Sequence, residues 1–152
     1  MTLKERLAED LKAAVRSGDQ ARKTALRLVT AAVRNAEIAA GRPLDDEDVL
    51  MVIQREARQH EESIQQFQQA GRQDLVQKEQ AELAVLAAYL PARLSREEIA
   101  AQARAVIQEV GAAGPRDKGR VMGALMPRLG SRADGREVNE VVTELLEDAA
   151  QP

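Results

Sequence analysis

Apolar residues recur three and four positions apart along nearly the whole chain, and no stretch of strand length alternates apolar with polar. That periodicity predicts an all-α protein of about seven helices. The first carries Leu3, Leu7, Leu11 and Val15 on one stripe and stops at Ser17-Gly18, where glycine takes the left-handed conformation. Asp19 caps a second helix bearing Leu26, Val29, Val33 and Ala36, which ends at Gly41-Arg42-Pro43. A third starts in the acidic run Asp45-Asp46-Glu47-Asp48, at the positive end of the helix dipole, and continues through Val49, Ile53, Ala57, Ile64 and Phe67 to Ala70-Gly71. The fourth holds Val76, Leu83, Leu86 and Leu90 and is expected to stop at Pro91.

A boundary falls at Leu90-Pro91-Ala92-Arg93-Leu94, because Ser95-Arg96-Glu97-Glu98 restarts a helix with a capping box. The expected organisation is an N-terminal helical subdomain over residues 1–90 and a smaller C-terminal three-helix subdomain over residues 95–150. In the latter, the fifth helix buries Ile99, Ala103, Val106, Ile107 and Val110. Pro115 suits the first position of the sixth, and Val138, Val141, Val142, Leu145 and Leu146 mark the seventh.

The 152 residues are 44% hydrophobic, with one Phe, one Tyr and no Trp, so the core is built from Ala, Leu, Val and Ile in closely packed helices. Without cysteine there are no disulfides, no thiolate chemistry and no cysteine-ligated zinc, and a cytoplasmic location is expected. No apolar run has the length of a membrane span. The opening MTLKERLAEDLK lacks the order of a signal peptide and is expected to belong to the mature protein.

Net charge is −3, unevenly spread. Residues 1–42 hold nine basic and five acidic side chains, residues 43–110 seven and thirteen, and residues 115–136 six and two, while residues 140–148 add four acids with no base among them. Two basic regions are therefore available to a polyanion.

Candidate chemistry is sparse. His60, the only histidine, falls near the stripe of the third helix and reads as a helix-edge residue with one hydrogen bond, since no Cys or second His accompanies it. The acids 45–48 cannot all converge on one ion and read as an N-terminal cap, so no metal site and no cofactor are expected. Ser17 and Ser95 are helix-end residues, Ser63 lies within a helix and Ser131 in a turn. None has a nucleophile motif, and no catalytic residue is assigned. Gly71-Arg72-Gln73-Asp74 suits either an interhelix turn or a phosphate.

The stretch KGRVMGALMPRLGSRADGREVNEVV, residues 118–142, is the richest. Gly119 and Gly123 share one face of the sixth helix and leave a strip where another backbone, or a neighbouring helix, comes close. Pro127 is expected to bend or end that helix. Gly130 and Gly135 flank a short loop around which Arg128, Arg132 and Arg136 are presented, with Lys118 and Arg120 near the start of the preceding helix. Close-approach glycines beside positive charges fit a phosphate backbone; composition alone favours a solvated face with glycines as packing devices. The scarcity of aromatic rings points to structured rather than single-stranded RNA.

Together with LKERLAEDLKAAVRSGDQARKTALRLVTAAVRNAEI, ESIQQFQQAGRQDLVQKEQAELAVLAAYLP and LSREEIAAQ, this stretch resembles the bacterial YqeY-like proteins over essentially the whole chain. The resemblance implies a helical N-terminal part followed by a smaller helical part similar to the C-terminal tail of GatB. GatB is the B subunit of the glutamine-dependent aspartyl/glutamyl-tRNA amidotransferase, and its tail grips tRNA while chemistry occurs elsewhere. By that resemblance the chain is a free-standing tRNA-binding-like module without an active site of its own. Arg132 and Arg136 are then the first candidates for phosphate contacts, and Asn139 either caps the turn or touches RNA. Two other readings stand beside it. One is an adaptor docking on proteins of the translation or amidotransferase machinery. The other is an amidotransferase-like enzyme, a carbon-nitrogen ligase with glutamine as amido-N-donor, for which the residues offer no constellation.

Overall fold

The computed structural model describes residues 1–151, with Ser131 described in its backbone alone, so the Ser131 hydroxyl lies outside the described residues. The described residues form seven α-helices and two short 3₁₀ turns and contain no strand. Their contacts divide into two compact units, Met1–Pro91 and Ala92 onward.

The first unit contains α1 (Leu3–Ser17), α2 (Gln20–Ala40), α3 (Asp46–Gln69) and α4 (Gln73–Ala87). Helix ends follow local chemistry. Asp19 accepts from the Arg22 N–H and Asp45 from the Asp48 N–H, while Gly18 and Gly41 close the preceding helices at φ 72° and 67°. Thr2 and Glu5 form a complete capping box, each side chain accepting from the other's backbone N–H.

The core of this unit is Leu7, Ala14, Ala25, Leu26, Val29, Val33, Val49, Val52, Ile53, Ala57, Leu86 and Tyr89. Ala14, Ala25 and Ala57 are buried in it, small side chains that allow neighbouring helices to pack closely. Val15, expected on the buried stripe, is 50% exposed. Four-residue steps drift 40° each on a helix of 3.6 residues per turn, so three turns after Leu3 it is Ala14 that faces inward.

α4 ends at Ala87, short of the expected Leu90. The chain tightens there, with Tyr89 and Leu90 donating to the Leu86 and Ala87 carbonyls three residues back, and Pro91 disfavours helical backbone in the residue before it.

The second unit contains α5 (Arg96–Val110), α6 (Lys118–Leu129) and α7 (Gly135–Ala150) around Ile99, Ala103, Val106, Val121, Leu125, Leu129, Ala133, Val138, Val141, Val142 and Leu146. Ser95 Oγ accepts from the Glu98 N–H, and Pro115 opens a 3₁₀ turn, Pro115–Asp117, that leads directly into α6. Pro127 neither ends nor visibly interrupts α6, which continues two residues further. The carbonyl left without its donor is that of Gly123, four residues earlier, and it lies on an exposed face of the helix. No described helix is long and apolar enough to cross a membrane.

Candidate nucleic-acid interface

The turn between α6 and α7 is built from its backbone outward. Gly130 adopts φ 58°, ψ −137°, a region that disfavours any side chain, and the 3₁₀ turn Gly130–Arg132 follows. Asp134 then caps α7 by accepting from the Arg136 N–H at 3.2 Å. Leu129, Ala133 and Val138 are buried around the turn, and the Leu94 N–H donates to the Arg132 carbonyl at 2.8 Å. The segment is therefore held at both ends and in the middle.

The basic residues sort into paired and unpaired. Arg128 forms a fork with Glu109 of α5, Nη1 to Oε1 at 3.1 Å and Nη2 to Oε2. That hydrogen bond holds the Glu109 carboxyl below its ordinary range and raises Arg128. Arg120 donates to Asp117 Oδ1 at 3.0 Å and to the Val110 carbonyl at 3.2 Å. The Asp117 carboxyl is lowered first by the Ala113 N–H and then by Arg120. Arg132 and Arg136 are exposed, and among the described residues neither they nor Lys118 joins an ion pair. Arg132 makes one long contact, from Nη2 to the Arg128 carbonyl at 3.4 Å.

The five cations are not gathered into one set. Lys118 and Arg120 sit at the start of a helix of 12 residues, roughly 18 Å long, and Arg128, Arg132 and Arg136 at its far end. Asn139 is exposed in the second turn of α7; the cap role belongs to Asp134. The acids of α7 are partly compensated, because Arg96 pairs with Glu140 at 3.3 Å and Glu144 at 3.0 Å.

Gly119 and Gly123 line an exposed ridge of α6, and a methyl built on either meets nothing within 4 Å. Among the described residues of this unit, no helix fills the strip. A methyl at Gly135 would touch Met126 Cε at 3.8 Å, an ordinary contact.

The other sequence candidates resolve as local structure. Arg72 is held by Asp74 at 3.2 and 3.0 Å, which occupies the guanidinium proposed for a phosphate. In the run 45–48, Asp45 caps α3, Asp46 accepts from the Leu3 N–H at 2.9 Å and Asp48 pairs with Arg42 at 3.0 Å. Sequence reasoning missed Glu109, which lies nineteen positions from Arg128 and gives no local signal. Asp117 stands at i,i+3 from Arg120, a spacing that does announce the pair.

A profile of the Yqey-like protein family matches residues 4–146. The chain is also similar to fungal proteins named "Altered inheritance of mitochondria protein 41, mitochondrial". Identity is 39% over 107 residues with the Eremothecium gossypii protein, covering 68% of this chain and 58% of that one. It is 32% over 145 residues with that of Pyrenophora tritici-repentis, covering 93% and 79%. With a Saccharomyces cerevisiae protein it is 35% over 85 residues, covering 55% and 46%. The chain thus spans less than two thirds of the length of some relatives it matches. These relatives are named as mitochondrial, which overturns the cytoplasmic expectation; that expectation rested on the absence of cysteine, which does not distinguish one reducing compartment from another. With the match running through all seven helices, the chain belongs to the Yqey-like protein family.

Proposed function

We propose that the second unit binds structured RNA, tRNA above all, through the α6–α7 turn. The observation that carries this reading is the exposure of Arg132 and Arg136, without ion pairs, on a turn whose backbone is anchored by buried residues and hydrogen bonds. An anchored backbone fixes where the two side chains start, and Arg presents its donors in a fork that suits a phosphate. The open glycine ridge of α6 adds a surface on which a sugar-phosphate backbone can lie close to the helix. Similarity of the family to the GatB tail supports tRNA as the class of RNA. Arg120 and Arg128, held by Asp117 and Glu109, act in this reading as struts that position the helix ends.

The test is fluorescence anisotropy of labelled bulk tRNA with the full chain at 50 and 200 mM salt. Two phosphate contacts, one each from Arg132 and Arg136, give a slope of about −1.8 in log K against log salt, hence roughly a 12-fold loss over that range. Absence of binding at the lower salt, or binding indifferent to salt, overturns the reading.

A second reading, an adaptor for a protein partner, is favoured by an open groove of about 560 Å³ between α5 and α7, where Ile107, Ala112 and Leu145 offer apolar surface. Capture of a translation protein that survives nuclease treatment and is lost on Leu145→Glu would favour it over RNA.

A further inference from the structure

α3 and α4 of the first unit pack against each other, and their contact contains three groups that the RNA reading leaves unused. His60 comes from α3; Glu79 and Glu82 come from α4, one turn apart on the same face. His60 is 7% exposed and Glu82 only 2%. One ligand atom from each lies within 4.8 Å of the others, and His60 Nδ1 is 2.5 Å from Glu79 Oε2.

The decisive member is Glu82. Among the described residues its carboxyl accepts no hydrogen bond and joins no ion pair, although Glu79 already occupies the His60 nitrogen facing it. Burial, and next the neighbouring Glu79, push the Glu82 carboxyl above its ordinary range, with His60 and Lys78 opposing. A carboxylate largely withdrawn from water beside a second carboxylate is costly unless something positive is shared between them. One imidazolium supplies a single charge for two anions. A divalent ion supplies two, together with directional bonds to all three side chains.

We propose that His60, Glu79 and Glu82 form a binding site for a divalent first-row transition ion, of the zinc, cobalt or manganese class. An imidazole nitrogen with two carboxylate oxygens is the donor set for these ions, whereas magnesium and calcium favour oxygen alone. Bonds of about 2.0–2.2 Å require donors about 3–4 Å apart, which a side-chain rotation reaches from the observed spread. Three protein donors leave one position to water. The ion would clamp the middle of α3 to α4.

The chain has a single histidine, so its ring nitrogens can be followed without assignment ambiguity. The experiment is ¹⁵N NMR of histidine-labelled full-length protein with zinc titrated at constant pH, alongside thermal unfolding and cobalt visible absorption. One equivalent of zinc is expected to move the His60 nitrogens and abolish their response to pH. At a hundred times Kd it should raise the folding equilibrium constant about 100-fold. Cobalt is expected to give ligand-field bands with the wild type and none with Glu82→Gln, which keeps the side-chain shape. Asp48→Asn in the exposed acidic run should change nothing. His60 signals that titrate with pH unaltered at excess zinc would overturn the site and leave a shared proton as the occupant. Metal binding undiminished in Glu82→Gln and His60→Gln would overturn it by placing the ion elsewhere.

Discussion

Tyr89 is the only tyrosine, in a chain without tryptophan, and its ionisation can be read directly from phenolate absorbance near 295 nm. The ring is 8% exposed, its hydroxyl donates to the Asp10 carboxylate, and the Arg6 guanidinium stands 4.6 Å from the ring centroid. Burial first, then the hydrogen bond to Asp10, push the phenol from 10.0 up to about 12. A difference of about 2 units corresponds to a stabilisation on the order of 2 kcal/mol once partial solvent screening is allowed for. The folded state holds this proton more tightly than the unfolded state, so between pH 10 and 12 the unfolded chain has lost a proton that the folded chain keeps. The stabilisation is therefore fully present below pH 10, falls as pH rises toward 12, and is gone above it. Tyr89→Phe keeps the ring but removes the titrating group. It is expected to cost about 1.5–3 kcal/mol at pH 7, as loss of a hydrogen bond to a charged acceptor. It should also flatten the stability profile between pH 10 and 12 relative to wild type. Urea unfolding at each pH, with circular dichroism confirming the folded baseline, gives the profile. A phenolate midpoint near 10 in folded protein, or identical alkaline slopes for the two proteins, would refute the packing argument for this corner of the core.

Three further outcomes are expected. Leu125→Ala, at a fully buried position of α6, should destabilise the second unit by about 3 kcal/mol in urea titrations, since its cavity is walled by rigid helices. Thr2→Ala removes half of a complete capping box and should cost about 1 kcal/mol, with no change in the urea m-value. Gly123→Ala should stabilise the chain by roughly 0.5–1 kcal/mol, because the site is helical and open, and yet weaken tRNA binding measured by anisotropy, because the methyl occupies the ridge where the backbone is to approach.

Helix ends were legible because their chemistry is local. Asp19, Asp45 and Ser95 announce starts, and Gly18, Gly41 and Gly111 announce stops, each within four residues of the bond it makes. The tail of α4 was less so, because Tyr89 and Leu90 look helical in spacing while Pro91 acts on the residue before it. The candidate interface was legible as a segment but not as a charge pattern. Whether Arg128 is free depends on Glu109, and whether Glu140 is a lone acid depends on Arg96, partners 19 and 44 positions away that only packing brings together. For the same reason His60 read as an isolated histidine: its neighbours arrive from the next helix, 19 and 22 positions on.

The central claim is that Arg132 and Arg136 are free to neutralise phosphates. The most direct measurement is the slope of log K against log salt for tRNA binding by the wild type and by an Arg132→Ala/Arg136→Ala double variant of unchanged helicity. Loss of two phosphate contacts should make the slope shallower by about 1.8. Equal slopes and equal affinities would contradict the account.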